Sequence, residues 1–138
     1  MRFLLLCTLI LASLTLSACQ TAPPSTAAVE MTFGPEWRLI ELNGSNVSLE
    51  HELTLTLRRG GRVEGYGGVN RFSAVVESAD LGRIEFGNIA SQRRGGPPEA
   101  MARESAYLGM LAEVDGFRVS DVKLELLEGD YVRAIFVR

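Results

Sequence analysis

The chain has 138 residues and a mildly acidic balance of 14 basic and 17 acidic side chains. No basic run exceeds two residues, which excludes a strongly basic nucleic acid binding surface. The length is that of one domain once the ends are removed.

The first eighteen residues have the pattern of a bacterial lipoprotein signal peptide. An apolar run of about fourteen residues follows Arg2, which is shorter than the roughly 20 residues that span a bilayer. It ends in Leu16-Ser17-Ala18-Cys19, which resembles a lipobox, so we expect the Cys19 thiol to carry a lipid such as palmitate. The residue after the cysteine is Gln20 and not aspartate, which by resemblance to proteobacterial lipoproteins favours the outer membrane. In a Gram-negative host this predicts a periplasm-facing outer-membrane anchor, and otherwise a cell-surface membrane anchor. The alternative is ordinary cleavage with an incidental cysteine.

Residues 19–34 are small, polar and marked by prolines, and they predict a flexible lipidated tether that reaches about 20 Å. The domain is then predicted to span residues 35–138. Cys7 and Cys19 are the two cysteines of the chain, so the mature domain keeps no thiol for a disulfide, a zinc-thiolate site or a nucleophile.

The domain has the pattern of seven or eight short antiparallel strands with one late helix. Alternation is clearest over residues 52–58, where three leucines share one face. Turns are predicted at residues 43–46, 60–61, 78–82 and 128–130, and the helix is predicted from Pro97-Pro98 to about Val114. The pattern favours a mainly β (α+β) fold, in which a strongly twisted sheet curls into a partial barrel with the helix packed over it. Predicted strands are 36–42, 52–58, 62–66, 71–76, 83–89, 117–120, 122–127 and 131–137.

Residues 65–72, with the sequence GYGGVNRF, interrupt a strand with three glycines and predict a sharp corner. At helical spacing Glu104 lies on the same face as Tyr107 and Leu111, where a carboxylate needs hydrogen bonds or an ion pair. We therefore predict a structural latch in which Glu104 accepts hydrogen bonds from the corner or pairs with Arg71 or Arg93. The alternative is a rotated helix with a solvated Glu104. The predicted latch residues are Gly65, Gly68, Asn70, Arg71 and Glu104.

Arg93 and Arg94 precede Gly95-Gly96 in a predicted loop. Arginine on such a loop suits carboxylate or phosphate recognition, so this pair is a candidate contact for a partner. The alternative is a solvated loop in which one arginine pairs with Glu104. His51, the single histidine, lies between Glu50 and Glu52 on a strand entrance, where neighbours point to opposite faces and do not converge on a metal.

The ordered set of motifs resembles the META domain family of HslJ-like bacterial lipoproteins. The corner is similar to the family signature G-x-x-G-C-N-R-F, and Trp37-Arg38-Leu39 is similar to its opening W-x-L. The segment from Ile89 to Arg94 resembles I-A-S-T-R-M, and the Glu104–Leu111 segment resembles the helix motif. The resemblance implies a small β-rich domain with one helix and an association with envelope stress, secretion or motility.

Two positions depart from that family pattern. Many members carry cysteines where this chain has Val69 and Gly96. The loss of both together is expected if the two cysteines form a disulfide in those other members. Val69 is then expected to pack as an apolar residue against the loop near Gly96.

These observations lead to a non-enzymatic envelope lipoprotein that binds another protein or maintains the envelope under stress. No catalytic residue, metal ligand or cofactor is predicted, and we expect a monomer attached to the membrane through Cys19. Two alternatives remain open: a carrier of a small hydrophobic ligand inside the partial barrel, and an inhibitor of a secreted enzyme acting through residues 95–98.

Overall fold

The computed structural model describes residues 33–80 and 82–138, so the predicted signal peptide, Cys19 and tether residues up to 32 lie outside the described residues. Ten strands, one 3-10 helix and one α-helix form this part of the chain. In order they are β1 (Glu36–Leu42), β2 (Ser45–Asn46), the 3-10 helix (Leu49–His51), β3 (Thr54–Leu57), β4 (Arg62–Tyr66), β5 (Arg71–Asp80), β6 (Arg83–Phe86), β7 (Ala90–Ser91), α1 (Pro98–Glu113), β8 (Gly116–Val119), β9 (Lys123–Glu128) and β10 (Tyr131–Val137).

The strands form one antiparallel sheet that curves into a ring without becoming a closed barrel. Its order is β10-β9-β8-β6-β5-β4-β3-β1-β2, and β10 also pairs with β1, so the first and last long strands are neighbours. The weakest join lies between β6 and β8, where Arg83 and Gly116 are the one pair in register. The predicted fold class, mainly β with a partial barrel and one helix, is confirmed.

The helix begins where the sequence places its prolines and lies across the ring. Pro98 occupies the first turn, where its missing N–H costs no helical hydrogen bond. The buried face carries Glu104, Tyr107, Met110 and Leu111. The Tyr107 ring contacts Phe72 of β5 edge-on at 5.7 Å between centroids and Phe136 of β10 at 6.2 Å. One helical side chain thus joins strands from both sides of the ring.

The inside of the ring is a packed core. Trp37 and Phe136 are fully buried, and Phe72 and Phe117 are nearly so. Phe86 is partly buried and packs against the same cluster. These aromatic side chains lie in one cluster with their aliphatic neighbours.

Some element boundaries differ from the prediction. β5 continues to Asp80 through most of the predicted turn at 78–82, because its pairing with β6 resumes after an irregularity beyond Val76. Phe33 and Gly34, assigned to the tether, contact the sheet: Phe33 bridges Leu57, and the Gly34 N–H donates to the Leu57 carbonyl at 2.8 Å. The two-residue strand β2 lies within the predicted turn at 43–46, and the two-residue strand β7 follows directly after the predicted strand 83–89.

Candidate functional site

The glycine-rich segment forms the corner between β4 and β5. Tyr66 and Arg71 are the last pair of the two strands, and the Gly67 N–H donates to the Asn70 carbonyl at 2.8 Å. Gly68 has a φ of +97°, in the left-handed region that side chains with a Cβ rarely adopt. The chain therefore reverses within four residues, and Asn70 is held at a fixed place.

Two further glycines in this segment leave room for their neighbours. A Cβ on Gly65 would lie 2.3 Å from the Thr54 carbonyl oxygen and 2.5 Å from the Phe72 ring. A Cβ on Gly67 would lie 2.7 Å from both Cγ and Oε2 of Glu104. The missing side chains allow β3 on one side and the helix on the other to approach the corner.

Glu104 reaches into the corner from α1 and accepts three hydrogen bonds. Its Oε2 accepts from the Val69 N–H at 3.1 Å and the Asn70 N–H at 2.6 Å, and its Oε1 accepts from the Asn70 Nδ2 at 2.7 Å. The side chain is only 5% exposed. Such donors stabilise a buried carboxylate without a counter-ion. Among the described residues neither Arg71 nor Arg93 forms an ion pair with Glu104.

Asn70 also fastens the loop that precedes the helix. Its Oδ1 accepts from the Arg94 N–H at 2.8 Å, and its Nδ2 donates to the Arg94 carbonyl at 3.1 Å. One buried amide thus joins the corner, the helix carboxylate and the loop. The sequence placed Asn70 among the predicted latch residues, but nothing local in the sequence indicated Arg94, which is 24 residues away.

The arginine side chains of this region project away from the latch. Arg71, Arg93 and Arg94 are exposed, and none forms an ion pair with the described residues. Arg71 contributes its backbone, whose carbonyl accepts from the Gln92 N–H at 3.0 Å. The latch is therefore formed by Asn70, Glu104 and backbone groups, while the arginine side chains are presented to solvent beside it.

Val69 packs where the resemblance placed it. A Cβ on Gly96 would lie 2.8 Å from Cγ1 of Val69, so the valine side chain fits against the bare glycine. This apolar contact joins the corner to the same loop that Asn70 holds. The loop from residue 92 to residue 96 is thus fixed at two points.

Tyr107 links the latch helix to β3. Its hydroxyl donates to the Thr54 carbonyl at 2.9 Å, and burial raises the pKa of the phenol well above its usual value. Among the described residues no buried side-chain nitrogen or oxygen lacks a hydrogen-bond partner. The polar groups inside this small domain are fully paired, which favours a single packing arrangement.

Within the described residues no three or more His, Cys, Asp or Glu side chains lie close enough to hold a metal ion, His51 and its neighbours included. No helix in residues 33–80 or 82–138 is long and apolar enough to cross a membrane. One groove of about 390 Å³ lies beside Tyr66 and Arg71, and another of about 440 Å³ lies beside Arg58 and Arg59.

The ring of antiparallel strands, the single helix across it and the carboxylate latch define a small β-rich domain with a structural clasp. The META domain family model matches residues 29–138. The chain belongs to the META domain family.

Solved structures share this fold at low sequence identity. A protein from Burkholderia xenovorans, solved by NMR, has a TM-score of 0.63 at 22% identity, covering 94% of this chain and 98% of its own. A second protein, also solved by NMR, has a TM-score of 0.62 at 17% identity, and the match covers 78% of this chain and 92% of its own. A DUF4847 family protein from Bacteroides vulgatus has a TM-score of 0.63 at 11% identity, covering 78% and 94%. Comparison with curated proteins gave no match.

Proposed function

We propose that this protein is a non-enzymatic lipoprotein of the bacterial cell envelope that binds an acidic segment of another envelope protein. The Cys19 lipid anchors it, on the periplasmic side of the outer membrane in a Gram-negative host. The loop bearing Arg93 and Arg94 supplies the binding surface. The observation that carries this proposal is the pair of hydrogen bonds between the Asn70 side chain and the Arg94 backbone.

The loop bearing Arg93 and Arg94 is preorganised for binding. A flexible loop loses conformational entropy when it binds, and that cost is reduced when folding has already fixed the loop. Here Asn70 holds the Arg94 backbone and Val69 packs against Gly96, while both arginine side chains stay exposed. Guanidinium groups donate paired hydrogen bonds that match carboxylates in shape and charge. A rigid loop with two such groups suits an acidic protein segment.

The packed interior supports a binding surface over a carrier. A carrier for a hydrophobic molecule needs an apolar space inside the ring, and the ring is filled by Trp37, Phe72, Phe117 and Phe136. The inhibitor alternative would use the same exposed loop at residues 95–98. It differs in its partner, which would be a foreign secreted enzyme and not a resident envelope protein.

The binding proposal is tested by photo-crosslinking in intact envelopes. A photo-reactive residue replaces exposed Gln92 beside the loop, and the crosslinked partner is identified by mass spectrometry. Changing both Arg93 and Arg94 to glutamine should reduce the crosslinked yield about tenfold or more, since each charge-assisted hydrogen bond contributes about 1.5 kcal/mol or more. The yield should also fall as ionic strength rises.

A charge-matched control separates the loop from net charge. The double variant Arg83→Gln with Arg103→Gln also removes two positive charges, but it removes them from β6 and α1. It should leave the crosslinked yield unchanged. Equal yields from the loop variant and wild type would refute the binding surface. Capture of a foreign secreted enzyme by the same loop would favour the inhibitor.

The anchor is tested separately by the mass of the mature N-terminus. The proposal expects Cys19 to carry diacylglycerol and fatty acid, and Cys19→Ala to release the chain from the membrane fraction. An unmodified Cys19 in a membrane-free protein would refute the anchor while leaving the loop result intact.

A further inference from the structure

The described chain begins beside a basic turn. Phe33, the first described residue, bridges Leu57 at the end of β3. The next five residues, 58–62, are called here the β3–β4 turn, and Arg62 is also the first residue of β4. Three of those five residues are arginines: Arg58, Arg59 and Arg62. The tether predicted to carry the lipid therefore joins the domain next to the densest basic segment of the sequence.

The turn presents its charges outward. Arg58, Arg59 and Arg62 are all exposed, and the Arg58 N–H donates to the Arg62 carbonyl at 2.7 Å, which closes the turn. Arg58 lies 3.5 Å from the Glu64 carboxylate in an exposed pair. Arg59 and Arg62 form no ion pair with the described residues. At least two positive charges are thus available to an anionic surface.

A groove of about 440 Å³ lies at this place, lined by residues of the chain entry and of the turn, among them Phe33, Arg58 and Arg59. Phe33 is partly buried against the core, so the groove has an apolar wall next to basic side chains. Apolar and basic groups side by side suit the boundary between phosphate headgroups and acyl chains.

The turn and the Arg93–Arg94 loop lie at opposite ends of β4. Arg62 begins that strand and Tyr66 ends it beside the glycine corner, a separation of roughly 13 Å along the strand. A domain whose tether end faced the membrane would therefore direct the latch and its loop away from the bilayer.

We infer that the β3–β4 turn, through Arg59 and Arg62, docks on anionic phospholipid headgroups of the membrane that holds the lipid anchor. This inference rests on the proposed Cys19 anchor. The short tether keeps the turn near the surface, and the arginines select one orientation of the domain. The partner-binding loop then faces the periplasm.

The test uses lipidated full-length protein in nanodiscs with headgroup-labelled quencher lipid. Val75→Cys places a reporter thiol near the turn, since exposed Val75 pairs with Arg62 across the strands. Gln92→Cys places one beside the opposite loop. Cys19 carries the lipid, so each variant has one free thiol for a fluorophore.

The Val75 reporter should be quenched more strongly in phosphatidylglycerol nanodiscs than in phosphatidylcholine nanodiscs, and the Gln92 reporter should be quenched little in both. Each arginine near an anionic surface favours the docked state about fivefold. Arg59→Gln with Arg62→Gln should therefore lower the docked-to-undocked ratio about 25-fold. Arg83→Gln with Arg103→Gln should preserve it.

Equal quenching of the Val75 reporter in the two lipids would overturn the inference. An equal fall of the docked-to-undocked ratio in both double variants would also overturn it. If lipid is confirmed on Cys19, either of these results overturns the docking inference but not the proposed anchor. Absence of lipid on Cys19 would overturn both the anchor and the docking that depends on it.

Discussion

Replacing Glu104 by glutamine tests the latch with almost no change in volume. The carboxylate accepts from two backbone N–H groups and from the Asn70 amide. Glutamine has one acceptor oxygen, and its NH₂ group must face at least one of these donors. Asn70 cannot rotate its amide to adapt, because the Arg94 N–H and carbonyl fix which end is oxygen and which is nitrogen.

The expected cost follows from that conflict. One buried donor loses its acceptor, and the remaining hydrogen bonds lose the help of a full charge, so Glu104→Gln should lower the free energy of unfolding by about 3 kcal/mol. For a domain of this size that corresponds to a fall in Tm of about 15 °C. The loss is large because the side chain is only 5% exposed, which leaves little water to replace the lost acceptor.

Trp37 provides the assay, since it is the single tryptophan and is fully buried. Its fluorescence in a urea titration gives the free energy of unfolding for wild type and variant. Glu99→Gln, an exposed change in the first turn of the same helix, is the matched control and should cost less than about 1 kcal/mol. Equal losses for Glu99→Gln and Glu104→Gln would refute the latch as a stabilising device.

Three further changes are informative. Gly67→Ala should destabilise the domain by about 1–3 kcal/mol in the same titration, because its Cβ would lie 2.7 Å from Glu104. Gly109→Ala, with nothing within 4 Å of the new Cβ in mid-helix, should stabilise it by about 0.5–1 kcal/mol; a loss would contradict the helix assignment. Burial raises the pKa of Tyr107 well above 10.0, so the folded state keeps a proton that the unfolded chain loses. Stability should therefore fall above about pH 10 by up to about 1.4 kcal/mol per pH unit, and Tyr107→Phe should remove that part of the slope; an unchanged slope would contradict the buried phenol.

Turn signals located the ends of two long strands. The predicted bounds of β1 and β10 match the structure because a predicted turn follows the first at residues 43–46 and another precedes the second at residues 128–130. Helical spacing likewise placed Glu104 on the apolar face, although it missed Met110, which lies buried near the end of the helix. Two-residue strands such as β2 and β7 have no period to detect.

The features that the sequence did not predict depend on contacts between distant segments. The Phe33 bridge to Leu57 depends on how the sheet curves, and a polar, proline-marked composition suggested only a tether. The Asn70 link to Arg94 depends on the corner and loop meeting in space. Sequence alone offered corner donors or arginines as partners of Glu104, and the choice required knowing which groups reach the carboxylate.

The pairing of β1 with β10 sets the order in which the chain can complete its fold. Four residues of β1 are in register with β10, although β10 is the last strand of the sheet in chain order. During synthesis or export, β1 must keep the edge that faces β10 unpaired until residues 131–137 emerge. A chain that stops before Tyr131 leaves β1 and β9 with exposed edges, each a template for joining another molecule. Truncations that remove β10 should therefore promote aggregation far more than the number of lost residues suggests.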